Sequence, residues 1–375
     1  VTIPDGTAHF LEHKMFEKQD YDAFELFGNF GADANAFTSF TQTSYLFSSS
    51  NHIHENLDIL LDFVEQPYFS KQTVDKEKGI IGQEISMYDD DPNWKLYFGM
   101  LKNLYPHDPM HIDIAGSADS IKTITEETLY ETYRTFYQPQ NMSLFIVGDV
   151  NPDEVDEWVA DNQAKKEFVT YQDPQLTFEL NDDEGLDVIP FRTNEMDVNR
   201  PKVMIGLRGL FQPETGKERL KYRLSVELLL DLLFDDTSEN YLRLYNAEVI
   251  DDSFSYNFEM QRGFNLAYIS GDTNYPERFS DEIVAILENV HTQIEGATTQ
   301  FENVKRATLG RMIGALDSPE AIANRYAGNL YDNVSLLDEI NSLQAITIDD
   351  LYQIADQFVN SQGISVYQIT PMRNN

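Results

Sequence analysis

Apolar and polar positions along this chain follow two periods, and stretches of each kind come in the same order twice. Residues 32–50 (ADANAFTSFTQTSYLFSSS) alternate, which predicts a strand. HENLDILLDFVEQPYF (54–69) and the segment from Thr73 to Met87 carry apolar residues three and four apart. That spacing predicts two helices, the second ended by an Asp-rich run and Pro92. Residues 124–147 (ITEETLYETYRTFYQPQNMSLFIV) predict an amphipathic helix, a turn and an alternating strand. Residues 346–369 (ITIDDLYQIADQFVNSQGISVYQI) predict the same, and the two segments align without a gap. Ile, Thr, Leu, Tyr, Phe and Ser recur in place.

Two shorter pairings fall in the same order: HFLEHKMF (9–16) with ELLLDLLF (227–234), and GQEISMYDDDP (82–92) with GRMIGALDSP (310–319). The chain is therefore read as a diverged duplication. A strand-like stretch, 187–211, precedes ELLLDLLF, whereas only eight residues precede His9, so the first domain is expected to lack its leading strands. The expected organisation is a domain over 1–165, a linker over 166–186 rich in turn formers and acidic residues, and a second domain over 187–375. Strands alternating with helix pairs point to an α+β class, each domain a mostly antiparallel sheet covered on one face by helices.

Composition narrows the function. A chain of 375 residues, 41% hydrophobic and 12% aromatic, suits two globular domains. Its net charge of −37 repels phosphate backbones and anionic lipid, so neither nucleic acid nor membrane is an expected partner. The charge serves solubility or a salty cytoplasm, or it attracts cationic peptides. With no cysteine, disulfide scaffolds, thiol catalysis and thiolate metal sites are excluded, and any metal must be held by His and carboxylate. No apolar run approaches the roughly 18 residues needed to span a bilayer. A bacterial cytoplasm is the expected setting.

His9-Phe10-Leu11-Glu12-His13 is the strongest chemical signal. Histidines four apart on a helix share a face and can point at one ion. Glu12 then lies close enough to take a proton from water activated there. This H-x-x-E-H order is the inverted zincin signature. The bland alternative, two exposed helical histidines, fits poorly beside Phe10, Leu11 and Met15. Catalytic zinc wants a third protein ligand, and the helix near 74–88 offers Glu77 and Glu84, two turns apart. Its neighbours Gly79, Ile80, Ile81, Gly82 and Ile85 are apolar for a solvated helix, and the glycines suggest a close backbone approach.

HFLEH followed by EKGIIGQE resembles the pitrilysin and insulysin family of zinc peptidases, which includes mitochondrial processing peptidase and two-domain bacterial enzymes. The resemblance spans nearly the whole chain. It implies zinc as the cofactor, His9, His13 and Glu84 as metal ligands, Glu12 as catalytic base, and Glu77 as a catalytically important group that is not a direct ligand. It also implies that an edge strand, Asn35-Ala36-Phe37-Thr38, binds substrate backbone by strand addition. Unfolded or short peptides, basic ones among them, are the implied substrates, and a homodimer or a heterodimer with an inactive sibling the implied assembly. In the second half Glu227, Leu230 and Asp231 stand at the positions of His9, Glu12 and His13, and Lys305 and Met312 at those of Glu77 and Glu84. That half is expected to be catalytically inactive.

The family's inactive half carries an Arg and a Tyr seven positions apart that grip substrate. No Arg from 192 to 325 has this partner here, and Arg243 has Ile250 there. Either Tyr245, Tyr256 or Arg262 substitutes locally, or a partner subunit supplies the grip. His107 and His111 lie among prolines and predict a loop; His52 and His54 predict surface positions. Asp89-Asp90-Asp91 lacks the spaced ligands of a calcium loop. A non-catalytic peptide-binding scaffold is the contrasting class, and a structural zinc site fits poorly without cysteine.

Overall fold

The structure, a computed structural model, describes residues 3–168, 187–261, 263–325 and 334–372. The chain divides into two units, Val1–Asp90 with Ile112–Thr177, and Asp91–His111 with Phe178–Asn375. The division differs from a continuous 1–165 domain in one respect: residues 91–111 belong with the second half. Most of the expected linker lies outside the described residues.

In the first unit, helix α1 (Thr7–Phe16) starts after Gly6, whose φ of 86° favours glycine. A side chain there would also collide with the Ala115 carbonyl oxygen, 2.4 Å from an added Cβ. Phe10, Leu11, Lys14 and Met15 of α1 are fully buried, so this helix runs through the core. Around it lie α2 (Ala23–Asn29), the strands β1 (Asp33–Thr38) and β2 (Thr43–Ser48), α3 (Ile53–Glu65) and α4 (Lys71–Asp90). The chain then supplies α5 (Pro92–Leu104) to the second unit and returns for α6 (Glu126–Phe136) and α7 (Pro152–Gln163).

Residues 32–50 form an antiparallel hairpin and not one strand. Ser39, Thr41 and Gln42 break the alternation, and the Ser39 amide donates to the Gln42 carbonyl at 2.8 Å to close the turn. Residues 142–147, expected as a strand, form none. Alternation makes a strand only where a neighbour takes its backbone groups. The corresponding strand of the second unit lies between two others, and among the described residues no strand pairs with 142–147.

Pro92, read as a helix stop, is also a helix start. Asp91 caps α5 by accepting from the Asn93 amide at 2.8 Å, and Pro92 occupies the first turn, where its missing N–H costs nothing. The Asp89–Asp91 run thus has a local structural use. The glycines of α4 do not mark a close approach. A Cβ at Gly79 would meet nothing within 4 Å, and one at Gly82 only Ile121 Cδ1 at 3.9 Å.

The second unit holds β3 (Phe191–Met196), β4 (Lys202–Arg208), α8 (Gly216–Phe234), α9 (Glu239–Asn246), β5 (Ser255–Gln261), β6 (Phe264–Asp272), α10 (Pro276–Glu288), α11 (Val290–Ile294), α12 (Thr298–Gly314), α13 (Pro319–Arg325), α14 (Leu336–Ala345), α15 (Ile348–Phe358) and β7 (Ile364–Pro371). The sheet order is β3-β7-β4-β6-β5, antiparallel except for the β3–β7 pair. Val203, Ile205 and Leu207 on one face of β4 join the core built around α8. On the other face lies α5: a Cβ at Gly206 would stand 2.3 Å from Met100 Sδ, and one at Gly99 2.3 Å from the Tyr367 ring. Both units combine helices and sheet, the α+β class expected. No helix among the described residues is long and apolar enough to cross a membrane.

Candidate metal centre

Helix α1 places His9 and His13 one turn apart, with ring centroids 4.6 Å apart. Helix α4 turns Val74, Glu77, Ile81 and Ile85 into the core and carries Glu84 one turn past Ile81. Nε2 of His9 lies 3.7 Å from Glu84 Oε1, and Nε2 of His13 lies 3.7 Å from Glu84 Oε2. Those separations are too long for hydrogen bonds. They are close to the roughly 3.4 Å between donors of a tetrahedral zinc ion with bonds of about 2.1 Å. His9, His13 and Glu84 form the one group of three or more such donors found among the described residues. Two imidazoles and a carboxylate, with no thiolate, are a donor set that catalytic zinc accepts. His9 Nδ1 is buried without a hydrogen-bond partner, so only the Nε2 edge of that ring has a counterpart.

Each of the other groups is held by a neighbour. Glu77, buried, presents Oε1 3.1 Å from His13 Nδ1, on the opposite ring edge from Glu84. Tyr88, one turn beyond Glu84, donates to Glu84 Oε1 at 2.5 Å. Thr38 Oγ1 donates to Glu12 Oε2 at 2.5 Å. Neither Tyr88 nor this use of Thr38 is expected from the sequence reading. The i, i+4 spacing to Glu84 was the signal for Tyr88.

Burial dominates the electrostatics. It lowers the pKa of His9, helped by the neighbouring His13. It raises that of Glu12, opposed by the Thr38 hydrogen bond and by His13. His13 moves the other way, raised chiefly by its hydrogen bond to Glu77.

A cavity of about 590 Å³ opens beside Glu12, His13 and Glu77. Asn35 and Ala36 of β1 line it, with Phe16, Tyr21, Phe24 and Ile80 supplying apolar wall and Lys18 and Lys76 charge. Phe37 is exposed. Among the described residues β1 pairs with β2 alone, which leaves its other edge without a strand.

The remaining candidates have local roles. His54 stacks on Trp158 at 4.5 Å, and His52 lies 3.3 Å from Glu55. His111 Nδ1 lies 2.9 Å from the Tyr105 carbonyl oxygen, and His107 is paired with Asp187 at 3.5 Å. In the second unit Asp231, at the place of His13, accepts from Tyr256 at 2.8 Å and pairs with Arg311 at 3.1 Å. Lys305 donates to the Ile346 carbonyl, and Met312 is buried. Tyr245 donates to Asp252 at 3.2 Å. Arg262 lies outside the described residues.

Known proteins resemble this chain along most of its length. Residues 4–116 match the profile of insulinase, peptidase family M16, and residues 123–306 that of the peptidase M16 inactive domain. The uncharacterized zinc protease YmfH of Bacillus subtilis is 43% identical over 99% of this chain and 86% of its own length. The zinc protease PqqE of Helicobacter pylori is 24% identical over 96% of this chain and 83% of its own. A crystal structure of an M16-like protein from Alicyclobacillus acidocaldarius superimposes with a TM-score of 0.87 at 28% identity, over 99% of this chain and 88% of that one. By sequence along almost its whole length and by its two-domain fold, this chain belongs to the M16 family of peptidases.

Proposed function

We propose that the chain is a zinc-dependent endopeptidase acting on short peptides or flexible extensions. The observation that carries this reading is the convergence of His9 Nε2, His13 Nε2 and the Glu84 carboxylate on one point, with Glu12 beside it. His9, His13 and Glu84 hold the zinc, which when bound polarises a peptide carbonyl and lowers the pKa of water. Glu12 removes a proton from the attacking water as its oxygen bonds to the carbonyl carbon. It then returns that proton to the leaving amine nitrogen as the C–N bond breaks. Burial raises the basicity of Glu12 and so suits it to both steps. Glu77 orients His13 through Nδ1, as carboxylates behind metal-bound histidines do.

The free edge of β1 takes an extended substrate segment, bound by the backbone of Asn35, Ala36, Phe37 and Thr38. The second unit is a catalytically silent copy, and the chain works as a homodimer or with an inactive sibling in the bacterial cytoplasm. The missing Arg–Tyr spacing and the engagement of Tyr256 with Asp231 support that assembly.

The test is hydrolysis of an unstructured fluorogenic peptide. Wild-type protein cleaves it, a chelator stops cleavage and added zinc restores it. Glu12→Gln lowers the rate by about 10²–10⁴-fold with zinc retained. Full activity of that variant would overturn the assignment of the base.

A further inference from the structure

We propose that Thr38, backed by Thr43, is a positioning residue that fixes Glu12 through a one-way chain of hydroxyl hydrogen bonds. The inference rests on the reading of Glu12 as the base. Thr38 Oγ1 lies 2.5 Å from Glu12 Oε2 and 3.1 Å from Thr43 Oγ1.

Counting protons sets the direction of this chain. A carboxylate only accepts, and each hydroxyl has one proton to give. Thr38 gives its proton to Glu12, so Thr43 gives to Thr38. Both O–H bonds are aligned toward the carboxylate, and the second polarises the first.

Local structure builds the chain cheaply. Thr38 and Thr43 are the cross-strand pair next to the hairpin turn, and Ala36 faces Tyr45 two pairs further along. Side chains two apart on a strand share a face, so Thr38, Thr43 and Tyr45 all project from the same side of the hairpin. That side packs on α1 and α3: the Tyr45 ring lies 5.9 Å from Phe16 and 5.3 Å from Phe63. The consequence is orientational. With Oε2 held by Thr38, Oε1 is the oxygen left to meet the reacting proton, and the carboxylate does not rotate away from it. Thr38 accordingly differs from its neighbours Asn35 and Ala36, which line the cavity.

The experiment compares wild type with Thr38→Val, Thr38→Ser, Thr43→Val and Glu12→Gln, measuring kcat, KM and zinc content on the same peptide. Loss of precise placement is expected to cost Thr38→Val about 10- to 100-fold in kcat. KM and zinc content should hold. Thr38→Ser recovers most of the rate, and Thr43→Val falls between. An unchanged kcat in Thr38→Val overturns the proposal, as does a rise in KM alone, or a serine variant no better than valine. Should Thr38→Val fail to fold, Thr43→Val decides, because it leaves Thr38 in place and an unaltered kcat would refute the chain. Should wild type cleave no peptide, the peptidase reading fails separately. Crystal structures of wild type and Thr38→Val then still decide this inference: a Glu12 carboxylate in the same place in both refutes it, and one that swings away supports it.

Discussion

His13 lies between two carboxylates, with Nδ1 3.1 Å from Glu77 Oε1 and Nε2 3.7 Å from Glu84 Oε2. One contact has hydrogen-bond length and the other is too long for one, which is why the proposed reading gives the two acids different work. Glu84→Gln is expected to lose most of the bound zinc. Glu77→Gln should keep most of it and lower activity about 10- to 100-fold, the usual effect of removing a histidine's outer partner. Zinc content and kcat measured on both variants check this, and the reverse pattern would exchange the two roles.

A second expectation concerns stability in the second unit. Tyr97 OH donates to Glu259 Oε2 at 2.7 Å, and burial raises the pKa of Glu259, opposed by that hydrogen bond and by others from Tyr268 and Asn257. A carboxyl raised in this way keeps its proton in the folded state after the unfolded chain has lost it. Ionised Glu259 therefore costs stability once the pH rises above the ordinary glutamate value, and the cost is complete above the folded pKa. Glu259→Gln keeps an acceptor for Tyr97 without the charge. It should raise the melting temperature at pH 7 and leave it unchanged near pH 4. Equal shifts at both values would show that ionisation is not the cause.

Substrate form is a third. A strand-accepting edge needs an extended partner, so flexible peptides should be cut and compact folded proteins spared. The net charge of −37 should favour basic peptides at low salt, with the preference fading as ionic strength rises. Matched acidic and basic peptides cleaved at equal rates in low salt would remove the electrostatic part.

The last concerns assembly. Tyr256 is engaged by Asp231 and Tyr245 by Asp252, so neither hydroxyl is idle. A grip on the transition state supplied by a sibling subunit would make this chain alone bind zinc yet turn over slowly. Mixing the two should raise kcat without changing zinc content. Equal rates for the chain alone and the mixture would place the grip within this sequence.

The sequence made some of this legible and hid the rest for physical reasons. His9, Glu12 and His13 are visible because helical spacing alone brings them together. Glu77 and Glu84 also share a helix face, and spacing cannot rank them; only the two edges of the His13 ring do. Tyr88 sits at a readable i+4 position. Thr38 looks like one more substrate-edge residue until the hairpin packs on α1, a tertiary event that no local pattern carries. The alternation at 142–147 was genuine, but a strand also needs a partner. Pro92 begins a helix as readily as it stops one, and the association of α5 with the second sheet depends on contacts far away in sequence.

That association bears on how the protein withstands proteolysis. Residues 91–111 belong to the second unit, yet the chain joins them on both sides to the first. A single backbone cut between 166 and 186 would therefore leave α5 seated on β4 and β7 while still tethered at both ends to the other half. The nicked protein should run as two bands in denaturant and as one particle on a sizing column. A fragment beginning at 187 and produced alone would lack the helix that covers Met204, Gly206 and Tyr367, and should aggregate through that bared face.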